Sequence, residues 1–305
     1  MTKRMTIGLI GLDTSHVTAF AELLNNPDNP HHVPGGTVTA AFPGGSPDLF
    51  VSHSRVEGFT NDLRDKYGVA IKGSVEAVAE AVDAIMIESV DGRVHLDYFR
   101  RVAPYGKPVF IDKPMVLSSA DARELAAIAK QYNVPVMSSS SLRYSEALLN
   151  GLAEADKGAV TGAEAYTPMS LEPTNPGYYF YGIHGVETLY AIYGPGCQHV
   201  SAVTADGGDI VVGVWKDGRV GTVRGNHKEG KGTGGYGAVL YREKGVQAIN
   251  AYLPEMKPFY ASLLEQVMTL FQTGVSPLAF DETIEIMRFI EAANESRETG
   301  NRVAL

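Results

Sequence analysis

Four apolar runs of strand length, each followed by a polar turn and then a helical segment, constrain this chain more than any other feature. They are Met5 to Leu12, Thr37 to Phe42, Asp83 to Ser89 and Gly106 to Ile111. Continuous apolar runs of that length, without polar alternation, suit strands covered on both faces. Between them, Val17, Phe20, Ala21 and Leu24 recur at helical spacing, and Asn61 to Tyr67 and Val94 to Val102 read as helices. Ser74 stands where it would cap a further helix through about Ala81. Ser118 and Asp121 form a capping box ahead of the stripe Leu125, Ile128, Ala129 and Tyr132. A short strand, Pro135 to Met137, ends the series. Alternation of this kind through residue 143 predicts a parallel, doubly wound α/β sheet.

Beyond residue 143 the rhythm changes. Ala159–Tyr166, Val200–Ala205, Asp209–Trp215, Arg219–Gly225, Ala238–Arg242 and Val246–Ala251 read as strands with short turns, the spacing of an antiparallel sheet. A helix near Ile183 to Ile192 interrupts them; Pro258 opens another through Phe271, and Asp281 caps the last. The expected organisation is an α/β domain over 1–143 and an α+β domain over 144–305.

Composition excludes several partners. A net charge of −9 argues against nucleic acid or an anionic membrane, which need clustered Lys and Arg. The single cysteine, Cys197, excludes an internal disulfide framework and suits a reducing cytosol. The apolar segment near the N-terminus is too short for a signal sequence or a membrane span. The expectation is a cytoplasmic protein.

The run Val109-Phe110-Ile111-Asp112-Lys113-Pro114 delivers an acid and a lysine to a strand end, where Pro114 stops the ladder. Lys113 beside Asp112 is suited to polarising or protonating a bound oxygen. The other reading is a solvated strand end.

Four segments in order resemble the Gfo/Idh/MocA (glucose–fructose oxidoreductase/inositol dehydrogenase) family. They are Gly8-Leu9-Ile10-Gly11, Gly106-Lys107-Pro108 through Pro114, Gly182-Ile183-His184, and Thr273-Gly274 followed by Ala292-Ala293-Asn294-Glu295-Ser296 and Gly300 to Leu305. The resemblance covers nearly the whole chain. It implies a Rossmann domain, a second domain whose open sheet often forms a homo-oligomer interface, a nicotinamide cofactor and a sugar- or polyol-like small-molecule substrate. It gives Lys113 contact with the nicotinamide side and the reacting hydroxyl. Asp112 stands where the family usually has Glu.

His184 is a natural general base, against the reading of a packed histidine. The family's acid four residues earlier is Phe180 here, and Tyr179 or Tyr181 is left to supply a hydroxyl. Glu187 reads as structural. Arg143, after a run of serines, either binds a substrate oxygen or carboxylate or makes a surface ion pair.

The cofactor loop departs from the dinucleotide fingerprint. It runs Gly11-Leu12-Asp13-Thr14-Ser15-His16, with Asp13 and His16 at the second and third glycine positions. A carboxylate there repels a diphosphate unless it caps the helix or holds a cation. The ribose-binding acid after the second strand is replaced by Phe42-Pro43. Gly44, Gly45 and Ser46 suit an N–H concavity for a 2′-phosphate, with Arg55 nearby. Ser89, Val90, Asp91 and His95 follow the third clear strand and belong near the cofactor. Gly11, Asp13, Thr14, Ser15, Ser46, Ser89, Val90, Asp91, His95 and Lys113 are thus the candidate cofactor residues, for NAD or NADP. Asp13, His16, Asp91, His95 and Asp112 converge at the carboxyl edge, and such groups can hold a divalent metal. Helix caps and packed histidines, with no metal, are the expectation. The segment Gly225 to Gly237 reads as a mobile loop.

The function expected is an NAD(P)-dependent oxidoreductase acting on a hydroxyl or ketone, with Lys113, His184, Asp112, Tyr181 and Arg143 as catalytic candidates. Its rivals are a metal-assisted lyase or hydrolase, and a non-catalytic ligand-binding protein on the same fold.

Overall fold

The computed structural model describes residues 4–227 and 235–305. The chain divides into two compact units: the first comprises Met1–Val116, Ala120–Ser139 and Tyr260–Phe280, and the second Leu117–Ser119, Ser140–Phe259 and Asp281–Leu305. The first unit therefore regains the chain late, which a single cut after residue 143 does not capture. The returning segment belongs to helix α9 (Phe259–Thr273), and its Tyr260 ring lies 4.9 Å from His16 and 5.6 Å from Phe20.

The first unit begins β1 (Met5–Ile10), α1 (His16–Asn25), β2 (Gly36–Phe42), α2 (Phe50–His53), α3 (Val56–Tyr67) and β3 (Ala70–Ile71). It continues α4 (Val75–Ala81), β4 (Ala84–Ile87), α5 (His95–Val102), β5 (Val109–Ile111), α6 (Ser119–Tyr132) and β6 (Val136–Ser138). The six strands lie in the order β3-β2-β1-β4-β5-β6, all parallel. This is the doubly wound order with its switch point between β1 and β4, at whose carboxyl edge ligands collect. The apolar runs are buried as expected: β4 and β5 are buried throughout. Gly8 lets α4 approach, since a Cβ there would sit 2.3 Å from Val78 Cγ1. Ser74 caps α4, its hydroxyl accepting from the Ala77 N–H at 3.2 Å. The short elements α2 and β3 escaped the sequence, having too few residues to show a period.

The second unit holds α7 (Glu146–Ala153), β7 (Val160–Pro168), α8 (Gly182–Tyr193), β8 (Cys197–Ala205), β9 (Gly208–Trp215) and β10 (Val220–Asn226). After them come β11 (Gly237–Arg242), β12 (Gly245–Asn250), α10 (Phe280–Thr299) and β13 (Val303–Ala304). Its seven strands run β12-β11-β7-β10-β9-β8-β13. All pairs are antiparallel except β7 with β10. β9 buries every second residue, the pattern of a sheet covered on one face. Trp215, Tyr190, Tyr193 and Phe289 form the aromatic centre of this unit, and the Trp215 indole N–H donates to the Gly194 carbonyl at 2.8 Å. Of the loop expected from Gly225 to Gly237, residues 225 and 226 extend β10 and residues 228–234 lie outside the described residues.

Candidate active site

At the end of β1 the chain turns through Gly11 with φ +85°, where a Cβ would lie 2.6 Å from the Ser89 backbone nitrogen. Only glycine permits that φ and that approach together. Asp13 follows, fully buried. One carboxylate oxygen accepts from the Val90 N–H at 2.9 Å and the other from the Ser52 hydroxyl at 2.6 Å. Burial pushes its carboxyl above the usual range even against these bonds. The charge expected beside a diphosphate is instead turned inward, tying the loop after β4 to α2. Thr14 accepts from the His16 N–H at 3.4 Å; Ser15 occupies the N-cap of α1 without a side-chain cap bond, and the first turn contains no acid.

The segment after β2 is equally committed. The Ser46 N–H donates to Ser52 Oγ at 2.8 Å and the Ser46 hydroxyl to Asp91 at 2.6 Å. A concavity aimed at a 2′-phosphate therefore does not form at Ser46. Arg55 turns its Nε to the Val51 carbonyl at 2.6 Å. Asp91 is buried and held by Arg93, which also grips Asp48 through two contacts of 2.8 Å. His95 is buried between carbonyls: Nδ1 lies 2.9 Å from the Pro114 oxygen and Nε2 2.8 Å from that of Ser89. It fastens the loop after β4 to the cis Lys113–Pro114 peptide.

Asp112 and Lys113 stand at the end of β5. The Asp112 N–H donates to the Ile87 carbonyl at 2.8 Å and the Glu88 N–H to that of Ile10 at 2.7 Å. These bonds continue the sheet past its formal ends and bring both carboxyls to one edge. Glu88 is fully buried, and Lys113 is only 9% exposed, so the solvated strand end is not what forms. His16 Nδ1 lies 2.8 Å from Asp112 Oδ2 and 3.9 Å from Glu88 Oε2. Burial and the neighbouring Asp112 push the Glu88 carboxyl well above the usual range. Burial acts on Asp112 in the same direction, but the His16 ring and the Lys113 ammonium outweigh it and hold Asp112 at about 2. Of the two acids, Asp112 is the one that carries charge. Glu88 was not singled out from the sequence; its signal is the one Asp112 also gives, an acid closing a fully apolar strand.

In the second unit, His184 is the third residue of α8 and 8% exposed. Its Nδ1 lies 2.7 Å from the Ser140 hydroxyl, and its ring lies 5.4 Å from Tyr236 and 6.0 Å from Tyr181. Phe180, in place of the family's acid, is buried and packs on Tyr181 at 5.1 Å. Ser140, one of the four serines, is thus the side chain that orients His184. A hydroxyl gives a proton to an imidazole or takes one from it, so it serves either tautomer. Burial raises the Tyr236 phenol to about 12.

Arg143 is buried rather than at the surface, 8% exposed. Its Nε donates to Glu187 at 2.8 Å and its Nη2 to Glu282 at 2.5 Å. The two carboxylates hold the guanidinium in a buried ion pair, where the sequence left a surface pair or a substrate contact open. Glu187 is structural, as expected: fully buried, with its carboxyl raised by burial against the pull of Arg143.

Residues 50–140 match a family model described as the Gfo/Idh/MocA oxidoreductase family, NAD-binding Rossmann fold. A comparison with curated protein sequences gives no significant match. Among solved structures the chain is similar to GenD2 from gentamicin A biosynthesis in complex with NAD, at 18% identity and a TM-score of 0.78, covering 100% of this chain and 97% of that one. It is also similar to scyllo-inositol dehydrogenase from Lactobacillus casei with bound NAD(H) and scyllo-inositol, at 15% identity and TM-score 0.78, covering 99% of each chain. A third is an oxidoreductase from Agrobacterium radiobacter in complex with NAD+, L-tartaric acid and magnesium, at 14% identity and TM-score 0.75, covering 99% and 98%. At these identities the structures establish the fold over the whole chain, and the likeness to the Gfo/Idh/MocA oxidoreductase family rests on the matched residues 50–140.

Proposed function

We propose that the chain is an NAD(P)-dependent oxidoreductase acting on a hydroxyl or ketone of a sugar- or polyol-like substrate. One observation carries the reading: the Gly11 turn and the start of α1 stand at the switch point of a six-stranded sheet in Rossmann order. The residues there fit a diphosphate. Gly11 leaves no Cβ, Ser15 does not cap α1, the first turn contains no acid, and the Asp13 carboxylate is buried in its own bonds. The ribose end does not choose a nucleotide. β2 ends in Phe42 without an acid, and Asp48 and Asp91 are both held by Arg93. NAD and NADP both remain within the proposal.

Gly11, Thr14, Ser15, Ser89 and Val90 would hold the nucleotide, which when bound supplies a hydride donor or acceptor at nicotinamide C4. Lys113 steadies the substrate oxygen, and Asp112, carrying charge beside it, positions its ammonium. His184 exchanges the hydroxyl proton, with its ring set by Ser140 and Tyr181 beside it. The relatives crystallised with NAD(H) and an inositol support the cofactor and substrate class.

The proposal extends to a homo-oligomer through the second sheet, in the cytoplasm. Val220, Gly162, Tyr241 and Val246 pair across four neighbouring strands, which puts them on one face, and the three larger side chains are exposed. No described helix is long and apolar enough to cross a membrane. The test is absorbance of the reduced nicotinamide when purified protein meets NAD+ or NADP+ and a panel of inositols, aldoses and sugar acids. Turnover of one panel member that Lys113→Ala abolishes is expected; no turnover with any member contradicts the reading.

A further inference from the structure

We propose that His16, Glu88 and Asp112 form a binding site for one divalent transition-metal ion at the carboxyl edge of the six-stranded sheet. The three residues follow β1, β4 and β5, which are consecutive in that sheet, so the fold itself converges them. One ligand atom from each lies within 4.8 Å of the others. Ligands about 2.1 Å from a metal stand about 3.0 Å apart as octahedral neighbours and about 3.4 Å apart in a tetrahedron. The observed 2.8 Å from His16 Nδ1 to Asp112 Oδ2 and 3.9 Å to Glu88 Oε2 bracket those values.

A second observation points to a ligand. Glu88 is 0% exposed, yet neither of its oxygens has a hydrogen-bond partner among the described residues. Two buried carboxylate oxygens without a directed bond, beside the His16–Asp112 pair, are costly unless something sits among them. Lys113 acts on both carboxylates electrostatically but donates a hydrogen bond to neither Glu88 oxygen. The other acids and imidazole at this sheet edge do not join the cluster: Asp13 is tied to Ser52 and Val90, Asp91 to Arg93 and Ser46, and His95 to three carbonyls.

One imidazole with two carboxylates suits Mn2+, Fe2+ or Zn2+ better than Ca2+ or Mg2+, which prefer oxygen alone. Three protein ligands leave coordination positions open, the arrangement that lets an ion hold and polarise a substrate oxygen beside Lys113. The site stands whether or not the chain binds a nicotinamide nucleotide, so its test is independent of that reading.

The test is calorimetric titration of chelator-stripped full-length protein with ZnCl2 and, separately, MnCl2. Saturable binding of one equivalent of at least one ion is expected, with a melting temperature that rises with ion concentration. Glu88→Gln keeps the shape and removes the carboxyl that would ionise on the metal, and should weaken binding by about 100-fold or more, since even groups that only support a ligand cost 10- to 100-fold. Circular dichroism confirms that this variant is folded; should it not fold, Asp112→Asn takes its place with the same readings. No saturable binding of either ion, or binding by the folded variant equal to that of the parent, overturns the proposal.

Discussion

Replacing Arg143 with Met should unfold the second unit at a markedly lower temperature. Arg143 is 8% exposed and its two partners, Glu187 and Glu282, come from α8 and α10, so the cation joins three elements. Met fills much of the same volume but leaves Glu187, 1% exposed, facing Glu282 with no positive charge between them. Breaking a buried pair by removing one partner costs about 3–5 kcal/mol. In a domain of this size each kcal/mol moves the melting temperature by about 2–4 °C, so the expected fall is about 6–20 °C. Differential scanning calorimetry is the assay, because two units can unfold in separate transitions. The deficit should depend on pH with a fixed sign. Without Arg143 only a backbone bond from Ser140 opposes the burial that already raises Glu187, so the folded state holds a proton that the unfolded state has lost. Stability is then retained below the ordinary glutamate range and lost as pH rises, making the deficit larger at pH 8 than at pH 5. Arg143→Met combined with Glu187→Leu should recover most of the loss. A single variant that melts within about 2 °C of the parent refutes the ion triad as a structural element.

Lys113→Ala should abolish hydride transfer while sparing nucleotide binding, and it should also lower the melting temperature, because the buried ammonium offsets the Asp112 charge; turnover within about tenfold of the parent contradicts its role. His184→Asn should slow hydride transfer by about 100- to 10,000-fold and remove the pH dependence near neutrality, while equal rates would leave the histidine a packing residue. Asp13→Asn should flatten the pH dependence of stability. The raised carboxyl makes the parent lose stability as pH climbs from about 4, and the amide has no such proton to lose. Chemical denaturation of both proteins from pH 4 to 8 checks this, and identical slopes would mean that Asp13 is not the group responsible.

The sheet of the first unit was legible because its strands are buried on both faces and read as unbroken apolar runs. The second sheet was legible through the shift to closely spaced strands. The parallel pairing of β7 with β10 was not, because strand direction leaves no mark on a strand's own pattern. At the site, the sequence identified residue types but not where their side chains turn. Asp13 looks like a charge at the phosphate and proves to be a buried tie, since Ser52 and Val90 reach it from 39 and 77 residues away. Arg143 looks like a ligand-binding cation until Glu187 and Glu282 arrive from 44 and 139 residues along the chain. Glu88 reads locally as no more than the end of a strand, because His16 reaches it only through the fold, from 72 residues away in the chain. Long-range pairing decides each of these cases, and local pattern cannot supply it.

The most direct measurement of the central claim is a titration of the purified protein with NADH and with NADPH, followed by nicotinamide fluorescence. The account predicts saturable binding of at least one of them at micromolar concentration, about −8 kcal/mol. Binding of neither up to about 1 mM, where the free energy would be weaker than about −4 kcal/mol, contradicts it.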